Sequence, residues 1–254
     1  LSKIITVTNQ KGGVGKTTTC NALISCLSSM GNKVLGIDLD PQGSLGFSLG
    51  LDIESGFTIY DVLKGNVTAK EALRSIDCGD FIASNILLST AELEFNRSGR
   101  EFLLRDAIND IKDNYDFIII DTPPALNILT VNAYVAADSL IVPMVPEILS
   151  LLGISQIKET IDSVKKFFNP SLEVSCILLT KYNKRMMLTK EVEEMAGQIA
   201  DQLGTIVVST KIRSSVAVAE APAHGQGILS YAPKANASID YSAFAKMVYL
   251  GRFK

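Results

Sequence analysis

Lys11-Gly12-Gly13-Val14-Gly15-Lys16-Thr17-Thr18 is the stretch whose reading decides the fold. It follows an apolar, β-like run, Ile4-Ile5-Thr6-Val7-Thr8, and opens a helical pattern from Thr17 to Met30. A glycine-rich turn between a strand and a helix N-terminus is a phosphate cradle. Its backbone N–H groups converge on one concavity, and the helix dipole adds partial positive charge there. Lys16 is placed to reach β- and γ-phosphates, and the Thr17 hydroxyl to ligate Mg²⁺. The loop departs from the usual G-x-x-x-x-G-K-[ST] pattern in one respect. The position five before Gly15 is Gln10, and a second lysine, Lys11, stands inside the loop.

Outward from this loop the chain alternates β and α patterns, which predicts a mostly parallel, twisted sheet with helices on both faces. Strands are expected at Ile4–Thr8, Lys33–Asp38, Phe81–Ala83, Asp116–Ile120, Ser139–Met144, Leu172–Leu179 and Thr205–Val208. Their runs are apolar on both faces, as covered strands require. Helices are expected at Thr17–Met30, Ala69–Arg74, Arg100–Lys112, Ile128–Ala136, Leu152–Phe168, Lys190–Leu203 and Ser238–Tyr249. Gly31 and Gly204 stand where terminating glycines belong. The stretch from Gln42 to Asn96 is the least regular and is expected to carry insertions and mobile loops. No linker, repeat or low-complexity tract divides the 254 residues, so one domain over 1–254 is expected.

Ligands of such a sheet sit at the carboxyl ends of its strands. Asp38-Leu39-Asp40-Pro41-Gln42-Gly43 follows the second strand and sets two acids at one crevice. By itself this is an ordinary strand terminator. Behind a phosphate loop, one acid can orient an attacking water and the other can serve Mg²⁺. Phe117-Ile118-Ile119-Ile120-Asp121 is a buried strand ending in an acid that can hold a Mg²⁺ shell, directly or through water.

The two-lysine loop, the D-L-D-P-Q-G string, Asp121-Thr122-Pro123-Pro124 and Glu220-Ala221-Pro222-Ala223-His224-Gly225 together resemble the ParA/MinD group of deviant Walker A ATPases. The last string is very like the E-A-P-S-H-G of its ParA/Soj-type, DNA-partitioning branch, and the resemblance runs from Lys3 to about Tyr249. It implies a P-loop ATPase fold, ATP and Mg²⁺ as ligands, and residues Lys11 to Thr18 around the phosphates. Lys11 would reach across a homodimer to the partner's nucleotide, and Glu147 would contact that nucleotide too. Asp40 would position water, while Thr17, Asp38 and Asp121 would serve the metal. Thr180 and Pro222 would lie at the base. The branch binds DNA nonspecifically as an ATP dimer, and a ParB-type centromere-binding protein stimulates its slow hydrolysis. Arg185 aligns with an arginine such proteins use, since Thr180-Lys181-Tyr182-Asn183-Lys184-Arg185 matches their T-M-F-D-A-R. Lys184, Lys211 and Arg213 are further DNA-binding candidates, with Lys181 and Lys234 behind them.

Composition sets bounds on these expectations. A net charge of −3 confines any DNA contact to a local basic patch. No apolar run approaches a membrane span, and no signal peptide is visible, so a cytoplasmic protein is expected; the resemblance implies association with the nucleoid when ATP is bound. The four cysteines are scattered without metal-binding spacing. His224, the one histidine, has no nucleophile pattern near it and reads as structural. The MinD branch instead uses a C-terminal amphipathic helix to bind membrane. Here Phe244, Met247 and Val248 are spaced to pack on the sheet, so membrane association is not expected. A scaffold that holds nucleotide without hydrolysing it is the other alternative, and Asp40 argues against it.

Overall fold

The computed structural model describes residues 2–52, 55–147, 154–183 and 188–253. Its strands are β1 (Lys3–Val7), β2 (Val34–Asp38), β3 (Arg74–Ile76), β4 (Gly79–Ile82), β5 (Phe117–Asp121), β6 (Ser139–Met144) and β7 (Glu173–Leu179). They form one sheet in the order β3-β4-β2-β5-β1-β6-β7. Neighbours are parallel except β3 and β4, which form an antiparallel hairpin at one edge.

Alternation along each strand feeds two cores, because successive side chains leave opposite faces. In β5, Ile118 and Ile120 join one buried cluster, while Phe117 and Ile119 join the other. The helices that cover the sheet are α1 (Lys16–Ser29), α2 (Ser44–Ser48), α3 (Ile59–Lys64), α4 (Ala91–Glu94), α5 (Leu103–Ile108), α6 (Ile128–Ala136), α7 (Ile154–Phe167), α8 (Leu188–Leu203), α9 (Ala217–Glu220), α10 (Ile228–Tyr231) and α11 (Asn236–Leu250). On one face, α1 and α11 pack together, and Phe244 and Val248 of α11 are fully buried there. Leu129, Ala133 and Tyr134 of α6 enter the opposite cluster with Ile157 and Ile161 of α7. Cys20 and Cys26 are buried in the α1 face, as small core residues. Gly31 and Gly204 follow α1 and α8 with φ of +87° and +65°, the left-handed geometry that ends a helix.

Three expected elements differ. Ala69–Arg74 is a turn, and Arg74 opens β3. Thr68 and Glu71 do exchange the hydrogen bonds of a capping box, but the chain leaves helical geometry within that turn to enter the hairpin. Thr205–Val208 is not a strand; it touches the sheet at one bridge, Ile177 to Val207. Arg100–Lys112 divides into a 3-10 turn at Arg100–Phe102 and α5. Asn132 of α6 fixes the join, accepting from the Leu104 N–H and donating to the Arg100 carbonyl.

Candidate nucleotide site

The loop between β1 and α1 takes its shape from two glycines, Gly13 at φ +72° and Gly15 at φ +89°. Side chains resist this left-handed region, so glycine there lets the amides turn inward. Among the described residues no side chain caps α1, and its first turn carries no acid, so its N-terminal N–H groups and positive dipole end are open to an anion. Asn9, buried just before the loop, accepts from the Lys11 N–H at 3.0 Å and donates to the Pro143 carbonyl at 2.7 Å. This ties the loop to the end of β6. Val14 is buried, and its carbonyl accepts from Thr180 Oγ1 at 2.7 Å.

Acids gather at the same strand ends. Register places Asp38 of β2 beside Asp121 of β5, and both are fully buried. Asp121 Oδ2 accepts from the Thr17 hydroxyl at 2.6 Å, and among the described residues Asp121 Oδ1 has no hydrogen-bond partner. Burial pushes the Asp121 carboxyl up to about 6, opposed by the Thr17 hydrogen bond and by Lys16. Burial also lowers the Lys16 ammonium from its ordinary value, against the pull of Asp121 and Asp40. A hydroxyl and an orphaned carboxylate oxygen at the head of a phosphate-binding helix are hard oxygen donors, the set that suits Mg²⁺. Asp38 was expected to share that work. Its oxygens instead accept from the backbone of the next segment, Oδ1 from Asp40 N–H at 2.9 Å and Oδ2 from Leu45 N–H at 3.1 Å. Here Asp38 is a clamp on the loop that carries Asp40.

A cleft of about 820 Å³ opens over the loop, lined at the phosphate end by Gly12, Lys16, Thr17, Thr18 and Asp40. Its far end is more apolar, with Ile212, Val216, Val218 and Pro222. Pro222 thus lines the apolar end of the cleft. Thr180 also touches the cleft, but its hydroxyl is spent on the Val14 carbonyl, so it acts as a strut under the loop. Phe47 and Val216 flank the mouth with half or more of their surface exposed, a feature that sequence pattern did not signal.

The two residues expected to meet a partner's nucleotide meet each other. Lys11 Nζ donates to Glu147 Oε2 of the same chain at 2.6 Å. Two of the DNA-binding candidates have acidic partners. Lys211 pairs with Glu193 at 2.6 Å and lies over the Tyr182 ring. Arg213 makes a two-pronged pair with Asp240 and lines the cleft. Lys184 and Arg185 lie outside the described residues. Lys181 and Lys234 are exposed. His224 stacks on Tyr231, with ring centroids 5.0 Å apart, which fits its structural reading.

Comparison with known proteins agrees with this geometry. The AAA-domain family model AAA_31 matches residues 2–174. The sporulation initiation inhibitor protein Soj of Bacillus subtilis is 38% identical over 98% of this chain and 98% of its own length. The chromosome partitioning protein ParA of Caulobacter vibrioides is 38% identical over 97% of this chain and 93% of its own. Among solved structures, cobyrinic acid a,c-diamide synthase from Mycobacterium smegmatis, with bound ATP analog and magnesium, superposes with a TM-score of 0.86 at 33% identity, covering 98% of this chain and 95% of that one. Identity of 38% to Soj and ParA over nearly the whole chain, on a mostly parallel sheet whose strand β1 leads into the two-lysine loop, makes this chain a member of the ParA/Soj family of P-loop ATPases.

Proposed function

We propose that the chain is a DNA-partitioning ATPase in which Mg-ATP drives formation of a homodimer that binds DNA nonspecifically, and hydrolysis releases it. The observation that carries this reading is the Thr17–Asp121 pair with its unpartnered carboxylate oxygen, set at the open N-terminus of α1. The loop amides from Gly12 to Thr18 and the Lys16 ammonium hold the phosphates, and charge developing on them is met without reorganisation. Thr17 and Asp121 would hold Mg²⁺, which when bound neutralises phosphate charge. Asp40 lines the cleft near Lys16 and orients water.

Lys11 acts in trans, leaving Glu147 for the partner's nucleotide. Their side chains are 30% and 61% exposed, so the pair they now form is worth about 0.2–1 kcal/mol and exchanges readily. DNA contact falls to Lys181, Lys184, Arg185 and Lys234, whereas Lys211 and Arg213 must first leave Glu193 and Asp240. A dimer doubles this patch, which lets an acidic chain bind phosphate backbones. Intrinsic turnover is slow, and a ParB-type partner accelerates it. The whole of 1–254 works as one unit in the cytoplasm, on the nucleoid when ATP is bound. A membrane-binding role fits less well, because Phe244 and Val248 of α11 are already buried against the core.

The test is Asp40→Ala. Single-turnover ATP hydrolysis falls about 100-fold while ATP affinity holds. Hydrolysis at the wild-type rate would remove Asp40 from the chemistry.

A further inference from the structure

Asp40 leaves the end of β2 on an irregular segment that runs to α2, and both of its backbone polar groups are held by side chains at or just beyond strand ends. Its N–H donates to Asp38 Oδ1 at 2.9 Å. Its carbonyl accepts from Ser84 Oγ at 2.6 Å, and from the Gly43 N–H at 2.9 Å. Ser84 lies just beyond β4, the strand beside β2 in parallel register, where Ile37 faces Ile82. The two segments therefore leave the sheet side by side. Ser84 is fully buried. The preceding carbonyl, of Ala83, accepts from the Ile59 N–H at 2.8 Å, at the start of α3. So the Ser84 hydroxyl is presented from a peptide that is itself fixed.

We propose that Ser84 is a positioning residue for Asp40: its hydroxyl sets where the Asp40 main chain leaves the sheet, and hence where the carboxylate stands in the cleft. This rests on the reading of Asp40 as the water-orienting acid. The Gly43 N–H comes from the same loop and moves with Asp40, so it cannot anchor the loop to the sheet. Asp38 and Ser84 can, because each belongs to a strand end. Asn21 of α1 braces the far end of the loop, donating to the Ser48 hydroxyl at 2.9 Å as α2 ends. With Ser84 removed, Asp40 keeps its side chain and its N–H anchor but gains freedom about the carbonyl side. A shift of about 1 Å in a group that orients a reactant costs rate far more than affinity.

The experiment compares wild type, Ser84→Ala, Asp40→Ala and the double variant by single-turnover ATP hydrolysis and ATP affinity. Ser84→Ala is expected to slow hydrolysis about tenfold with ATP affinity within about twofold. In the Asp40→Ala background the same change should cost nothing further, since no carboxylate remains to misplace. Ser84→Ala at the wild-type rate, beside a slow Asp40→Ala, would overturn the proposal and leave the Asp40 reading intact. So would weakened ATP binding in place of slowed hydrolysis, or an equal loss in both backgrounds. Asp40→Ala at the wild-type rate would overturn the Asp40 reading, and this proposal with it.

Discussion

Thr180→Val separates two roles for one residue. Family resemblance sets Thr180 at the base, whereas the structure gives its hydroxyl to the Val14 carbonyl at 2.7 Å, between two buried residues. Valine keeps the branched shape and removes only the donor. A buried carbonyl stripped of that donor costs about 1–3 kcal/mol. In a protein of this size, 1 kcal/mol moves the melting temperature by about 2–4 °C, so the nucleotide-free variant should melt about 2–12 °C lower. Val14 lies within the phosphate loop, so ATP, ADP and GTP should all lose affinity by the same factor, up to about tenfold if 1.4 kcal/mol reaches the loop. The assays are thermal unfolding without nucleotide and titration with the three nucleotides. An unchanged melting temperature with a loss confined to the adenine nucleotides would refute the strut and restore the base contact.

Two further outcomes follow from packing and burial. A Cβ on Gly36 of β2 would stand 2.7 Å from both Ile24 Cδ1 and Phe81 Cδ2, so Gly36→Ala should cost about 1–3 kcal/mol in urea unfolding. Ile24→Val, which deletes the clashing methyl, should restore part of it. The Asp121 carboxyl is raised to about 6 from an ordinary 3.8, so without metal or nucleotide the folded chain holds a proton there that the unfolded chain releases. Asp38 beside it is raised by the same burial and titrates with it, so stability from the pair is present below about pH 4 and declines as pH rises through about 6. Asp121→Asn should flatten that part of the pH profile of urea unfolding in chelator, and a profile identical to wild type would contradict it.

The sheet interior and the phosphate loop were legible in the residues because each has a strong local signature. β6 and α6 begin and end where their patterns do, β2 starts one residue late, and β1 and β5 are each shifted by one residue. β4 was expected at Phe81–Ala83, but its hairpin partner β3 was hidden because that edge strand is short and only partly buried. Gly79 was the overlooked signal. At φ +132°, with Val34 O only 2.3 Å from where a Cβ would stand, that position admits glycine alone. In the site, residues with sequence motifs were found and residues that work through backbone contacts were not. Asn9 and Ser84 hold main-chain atoms brought near by the sheet, 134 and 44 positions away in sequence, and no local pattern reports such a contact. Roles were harder to read than positions. Asp38 and Thr180 lie where expected, but each spends its oxygens on backbone partners.

Binding to nonspecific duplex DNA bears most directly on the account, which holds that ATP pairs two chains through Lys11 and that the pair binds DNA. Affinity should be measured for wild type with Mg-ATP, wild type without nucleotide, and Lys11→Ala with Mg-ATP. The account predicts salt-sensitive binding by wild type with Mg-ATP alone, and a Lys11→Ala chain that retains ATP but stays off DNA. Equal DNA binding without nucleotide, or by Lys11→Ala, would contradict it.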